Sequence, residues 1–336
     1  MYKIFFATFF LVNFGAANAQ YELINLPAAH SIRAMELSKK GTVWISGSKG
    51  AIYKNSGKNW ENHCPEEYKS FNFRGISILS ENTLIAMSAG EGESGKAFLL
   101  KTTNGGKTWK KIYQDTTKGA FFDSIKFLNS KEGWLLGDQI DGTPYLRKTI
   151  DGGKTWLPVK VNHQLIDGEA SFAASNSCIA LYKKNVWFST QNRLFYSPDN
   201  GSQWQALTTP FLKTSTQGIF GIFFNDPHLG FAVGGDYQNE NSETLQLALT
   251  VDGGKTWQTQ KQQFGQGVSE SVAIINKNLL VVSGTKGIVV KNLLEDKSTK
   301  IVDGVFHVVK CNANHCIAAG ANGQTCFFEI DKNFLP

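Results

Sequence analysis

Apolar residues in this chain arrive in short bursts, broken by Gly, Asn, Asp or Ser. The bursts have the length of strands and are bounded by turn residues. No long stretch keeps the spacing of an amphipathic helix. The bursts are grouped. SIRAMEL is followed by TVWISGS and GAIYKN, FFDSIKFL by EGWLLGD and TPYLRKT, and GIFGIFF by LGFAVGG and LQLALTV. VAIIN, LLVVSG and GIVVKN over 272–292 keep this order, as do HVVKC, CIAAG and TCFFEI over 307–330. The second bursts centre on Trp44, Ile85, Trp134, Trp187, Phe231, Val281 and Ile317, spaced 36 to 53 residues apart. Seven four-stranded units repeated radially predict an all-β, seven-bladed β-propeller, a ring that leaves only short, protected sheet edges. The seventh unit ends at Phe328-Glu329-Ile330 with no fourth strand behind it, whereas Tyr21 to Leu26 reads as one. The N-terminal strand is therefore expected to complete the last blade, making 20–336 a single domain.

An eight-residue phrase punctuates five units. TIDGGKTW (149–156) and TVDGGKTW (250–257) are near-copies of TTNGGKTW (102–109) and SPDNGSQW (197–204), with a worn version, YKNSGKNW, at 53–60. Turn chemistry accounts for each letter. Asn55, Asn104, Asp151, Asp199 and Asp252 are placed to cap backbone N–H groups two or three residues ahead. Gly57, Gly106, Gly153, Gly201 and Gly254 supply a positive φ. Trp60, Trp109, Trp156, Trp204 and Trp257 cover the corner with apolar surface. The acids belong to separate blades, too far apart to share one substrate, so the box reads as a structural hairpin corner between third and fourth strands.

S/T-x-D-x-G-x-T-W is the Asp-box, or BNR repeat, of sialidases and other propellers. With GEASFAASNS (168–177) and GIFGIFFNDPHLGFAVGGDY (218–237), it makes the chain similar to the photosystem II stability/assembly factor-like propellers. That resemblance implies seven blades, export and no proven catalytic residue. In photosynthetic members it implies a chaperone-like role in assembling a membrane complex.

Charge narrows the partners. Lys and Arg number 34 against 28 acids, a formal net charge of +6, with no basic run longer than two residues. A nucleic-acid groove needs a clustered basic stripe, so that partner is not expected. Lys3, the apolar run Ile4–Val12 and Ala17-Asn18-Ala19 before Gln20 predict a signal peptide over 1–19 and an exported, periplasmic or secreted protein. Downstream, no apolar run approaches the ~20 residues of a membrane-spanning helix. Among the five Cys, Cys311 and Cys316 flank a four-residue turn and are the expected disulfide. A metal site there with His315 lacks a nearby fourth ligand.

Strand order places the starts of the first strands and the second-to-third loops on one face, with the boxes on the other. The first-strand starts carry Arg33, Arg74, Asp123, Phe220, Glu270 and Phe306, with Glu169 close by in the fourth unit. The loops 89–96, 137–143 and 234–244 add Glu91, Glu93, Asp138, Asp141, Asp236, Tyr237, Glu240 and Glu243. Arg33, Arg74, Asp123, Glu169, Asp236, Tyr237 and Glu270 are thus the candidate binding funnel, suited to capturing a carboxylate, phosphate or saccharide. The leading expectation is a monomeric, non-catalytic scaffold that binds a protein partner at the cell envelope. The alternative is a sialidase-like glycoside hydrolase. It finds raw material in Tyr237, Glu270 and Asp123 but lacks a third inner Arg and the Arg-Ile-Pro signature. No dinucleotide fingerprint or haem attachment motif is present. The one cofactor worth testing is calcium, with Asp138 and Asp141 as oxygen donors.

Overall fold

The computed structural model describes residues 19–330, apart from 56, 58, 242, 243 and 261–266. Seven antiparallel four-stranded sheets form a ring. Blade I spans 32–62, blade II 73–114, blade III 122–158, blade IV 179–208, blade V 217–259 and blade VI 269–302. Blade VII is built from Phe306–Asn312, His315–Gly320 and Gln324–Ile330, with Ala19–Asn25 as its outer strand. Leu23 pairs with Cys326 and Tyr21 with Phe328, so the amino end is hydrogen-bonded to the last strand and closes the ring. The predicted signal peptide lies essentially outside the described residues. Among those described, no helix is long and apolar enough to cross a membrane.

The core lies between blades rather than within one. Seven buried apolar clusters each join neighbours: Trp44 of blade I packs with Phe73 and Phe98 of blade II, and Trp134 of blade III with Trp204 of blade IV. All seven central second-strand positions are inside these clusters or packed against them. Alternating side chains on both faces of each blade serve two interfaces, which is why the apolar pattern is denser than in a one-sided sheet.

The boxes turn where expected, with a cap that reaches further. Asp151 Oδ1 accepts from the N–H groups of Lys154 (2.9 Å) and Thr155 (3.0 Å), three and four residues ahead rather than two or three. Thr155 Oγ1 donates to Oδ2 (2.7 Å), and Gly153 N–H donates to Thr149 Oγ1 (2.9 Å), tightening the corner so that the longer reach closes. Asn104, Asp199 and Asp252 likewise accept from the fourth residue ahead, while in the worn box Asn55 accepts from Gly57, two ahead.

Segment 137–143, expected to be a loop, is strand. Gly133–Ile140 and Thr143–Thr149 run on to a two-residue turn at Asp141 (φ 51°) and Gly142 (φ 74°). Asp-Gly favours the tight hairpin turn with both central φ angles positive, and the strands pair again at the tip, Ile140 with Thr143, after a register shift beyond Gly137.

Candidate functional site

Six of the seven inner strands carry a register slip near their start, between Ile32 and Ala34, Phe73 and Gly75, Phe122 and Ser124, Ile219 and Gly221, Ser269 and Ser271, and Phe306 and Val308. A bulge leaves one residue out of the ladder and re-aims its side chain. The six residues set aside are Arg33, Arg74, Asp123, Phe220, Glu270 and His307. Five are the residues expected there. In blade VII the position belongs to His307, not Phe306, whose fully buried ring packs at the interface with blade VI. The sequence offset missed this by one residue because an apolar Phe and a polar His both suit a strand start.

Blade IV departs from the rule. Its inner strand begins only at Ile179, and the residues ahead of it form an irregular segment that bonds to five other blades. The carbonyls of Ala173 and Ala174 accept from Arg74 (3.3 Å) and Arg33 (3.4 Å). Ser175 Oγ donates to the Glu270 carbonyl (2.7 Å), and Ser177 O accepts from Ile222 N–H (2.9 Å). Asn176, with φ 55°, accepts from Ile125 N–H (2.8 Å) and donates to Ile76 O (3.2 Å). Gly221 is required where the segment crosses blade V, since a Cβ there would sit 2.3 Å from Ser177 Oγ. Residues 173–177 thus reach blades I, II, III, V and VI across the axis and floor the funnel.

The charges on this floor are paired. Glu270, buried, accepts a hydrogen bond from His307 Nδ1 and lies 3.8 Å from Arg33 NH1. Burial, then the charge of Arg33, pulls the Arg74 guanidinium below its ordinary value, with Asp123 and Glu270 acting against them. Asp123 is 1 % exposed, and its Oδ2 has no hydrogen-bond partner among the described residues. Burial first and the neighbouring Asp138 second push its carboxyl well above the usual range, against the pull of Arg74. Burial raises Asp138 to about 6. Burial thus disfavours the charged form of Asp123, and Glu270 is the floor carboxylate that lies within ion-pair distance of a guanidinium, that of Arg33.

Beside the charges stands an aromatic wall. Phe172 and Phe220 stack at 4.3 Å, and Tyr237 meets them edge-on at 6.1 and 6.3 Å while remaining 47 % exposed. Asp236, next to it, accepts from the N–H groups of Gln238 and Asn239 and shapes the turn that presents the tyrosine. Glu169 does not join the funnel. Its side chain is fully buried, clamped by Arg193 Nε (2.9 Å) and NH2, the Thr190 hydroxyl and Ile166 N–H (2.9 Å). A carboxylate this enclosed needs all of these donors to stay charged. Glu91, Glu93 and Asp141 are exposed, Glu240 pairs with Lys286 (2.9 Å), and Glu243 lies outside the described residues.

Cys311 and Cys316 are joined by a disulfide with Cα atoms 4.1 Å apart. Cys64, Cys178 and Cys326 are buried and unbonded, and burial first among the causes pushes Cys64 and Cys326 up to about 12, which leaves their thiols unreactive. Among the described residues no cluster of three or more His, Cys, Asp or Glu is placed to hold a metal ion.

A family model described as photosynthesis system II assembly factor YCF48 matches residues 93–209, from the loop before the third strand of blade II to the end of blade IV. A curated relative, the chloroplastic photosystem II stability/assembly factor HCF136 of Arabidopsis thaliana, is 27% identical over 117 residues, 34% of this chain and 28% of its own length. The chain thus aligns with little more than a quarter of that relative. A solved structure of YCF48 bound to a D1 peptide superimposes with a TM-score of 0.68 at 14% identity, covering 93% of this chain and 97% of that one. The chain resembles the photosystem II assembly factor propellers. The stretch that matches their family model contains the whole segment 168–177, which floors the funnel in this assembly factor-like propeller. Fold alone does not separate scaffold from enzyme. Virginiamycin B lyase from Staphylococcus aureus superimposes with a TM-score of 0.71 at 12% identity, over 94% of this chain and 100% of its own.

Proposed function

We propose that this chain is a non-catalytic propeller that binds a segment of a protein partner on the floored funnel, as a scaffold in assembling an envelope or membrane-associated complex. One observation carries the reading: residues 173–177 cross the axis. They form a floor where the channel would otherwise run on, with Arg33 and Arg74 bonded to it and the Phe172–Phe220–Tyr237 wall nearby. Such a surface suits a peptide that offers one apolar side chain to Tyr237 and a carboxylate to the guanidiniums. The assembly-factor resemblance supports a protein ligand. Export into an oxidising compartment is part of the proposal, and the Cys311–Cys316 disulfide supports it.

The glycosidase alternative is weaker on the same geometry. A third arginine is missing from the floor: Arg193 is spent on Glu169, and Arg147 stacks on Tyr145 at 4.0 Å in the third strand of blade III. Two assays separate the readings. Capture of a native partner should fall when Arg33 and Arg74 are both replaced by Ala, and fluorogenic sialosides should remain intact. Sialoside turnover that disappears in the double variant would overturn the scaffold reading.

A further inference from the structure

Three residues beyond the bulges lies a second ring. The inner-strand residues paired with Trp44, Trp134 and Ile317 are Glu36, Lys126 and Lys310. The other four positions carry no ionisable side chain, and two of them are the alanines Ala180 and Ala273, so the long side chains have room to meet. Glu36 belongs to blade I and Lys126 to blade III, which are not neighbours in the ring. Their 2.9 Å ion pair therefore crosses the channel. Lys310 arrives from blade VII. The charge of Lys126 beside it, followed by burial, lowers its ammonium to about 8, while Glu36 pulls the other way. Burial raises the Glu36 carboxyl, and the charges of Lys126 and Lys310 with the Lys126 hydrogen bond together outweigh it, so its net shift is downward.

Lys126 thus pairs with the Glu36 carboxylate, and the Lys310 ammonium stands beside them without an ion pair of its own among the described residues. Among the described residues, no carboxylate other than Glu36 ion-pairs with Lys126, and none does so with Lys310. Lys126 and Glu36 keep 18% and 22% of their side chains accessible, so small solutes can reach them. Uncompensated charge away from bulk water is costly, and an anion seated between the two ammonium groups removes the cost.

We propose that Lys126 and Lys310, with Glu36 beside them, form a channel site for a small inorganic anion, chloride or phosphate. Neutralised there, Lys310 stays protonated and the inner strands of blades I, III and VII are drawn together. The site is independent of the funnel, and its failure would leave the partner-binding reading intact.

Chloride NMR line broadening on the folded protein tests it. Saturable broadening is expected in the wild type, lost in Lys310→Met and strengthened in Glu36→Gln, which removes the competing carboxylate. A merely structural ion-pair cluster predicts no gain in Glu36→Gln. Displacement by inorganic phosphate assigns an oxyanion and its absence a halide, each in keeping with the proposal. Should Lys310→Met fail to fold, the wild type serves alone: broadening must fade as pH rises past about 8 and Lys310 loses its proton. No saturable broadening in the wild type, or broadening unchanged by Lys310→Met or by high pH, overturns the site.

Discussion

Lys101 in blade II donates a 2.7 Å hydrogen bond to the carbonyl of Gly152 in the Asp-box of blade III. The relationship recurs around the ring: Lys148 reaches Asn200 O (3.2 Å), and Trp187 Nε1 reaches Gly253 O (3.1 Å). The box is therefore more than the corner of its own blade. It presents carbonyls and a glycine surface to the preceding blade and latches the two together.

The latch predicts a contrast between two glycines. Gly201 has φ 91°, and a Cβ there would fall 2.4 Å from the Trp134 ring of the blade before it. Gly57, in the worn box, has φ 127°, and beyond its chain neighbours no atom of the described residues lies within 4 Å of the same point. Gly201→Ala should cost about 2–4 kcal/mol, backbone strain plus a clash at the interface. Gly57→Ala should cost about 1 kcal/mol, from strain alone. Urea unfolding of the two variants checks the order, and equal losses would remove the interblade role.

A second prediction concerns the carboxylate that left the funnel. Removing Arg193 strands a buried Glu169, so Arg193→Met should destabilise the protein by about 3–5 kcal/mol. The double variant Arg193→Met with Glu169→Leu should recover most of that loss, since no lone charge remains. Equilibrium unfolding measures both. A double variant no better than the single one would mean that the pair is not the anchor of this loop.

Asp138 gives the protein a pH signature. Its folded value of about 6 stands above the ordinary 3.8, so between these values the folded state binds more protons than the unfolded one. Its contribution to stability therefore falls as pH rises from about 4 to 6 and stays low at neutrality. Asp138→Asn should stabilise at pH 7 by up to about 3 kcal/mol and do little at pH 4. Thermal unfolding at the two pH values checks the sign.

How much of this was legible in the chain follows from what each residue answers to. Trp44, Trp134 and Phe231 sit in apolar runs of a unit repeated seven times, and repetition fixes their place in a second strand. The closing strand from Tyr21 is legible because the seventh unit lacks a fourth strand and this run reads as one. The box letters declare a turn but not a latch, because Gly201 owes its identity to Trp134, a contact with another blade. The funnel floor was hidden for a similar reason. Residues 173–177 have no period of their own, and Asn176 is dictated by backbone groups of Ile76 and Ile125 that lie far away in sequence. The one local hint was a long stretch of small and polar residues between the box at Trp156 and the strand at Ile179. Glu169 looked available only because its partner, Arg193, comes from a different strand.

Site-specific photocrosslinking tests the binding claim most directly. A photoreactive residue is placed at Tyr237 on the funnel rim or at Ile150, 68 % exposed in a box on the opposite face. The account predicts a discrete adduct with one envelope or membrane-associated protein from position 237, diminished by Arg33→Ala with Arg74→Ala, and none from position 150. Adducts of equal yield from both positions, or from 150 alone, would contradict it.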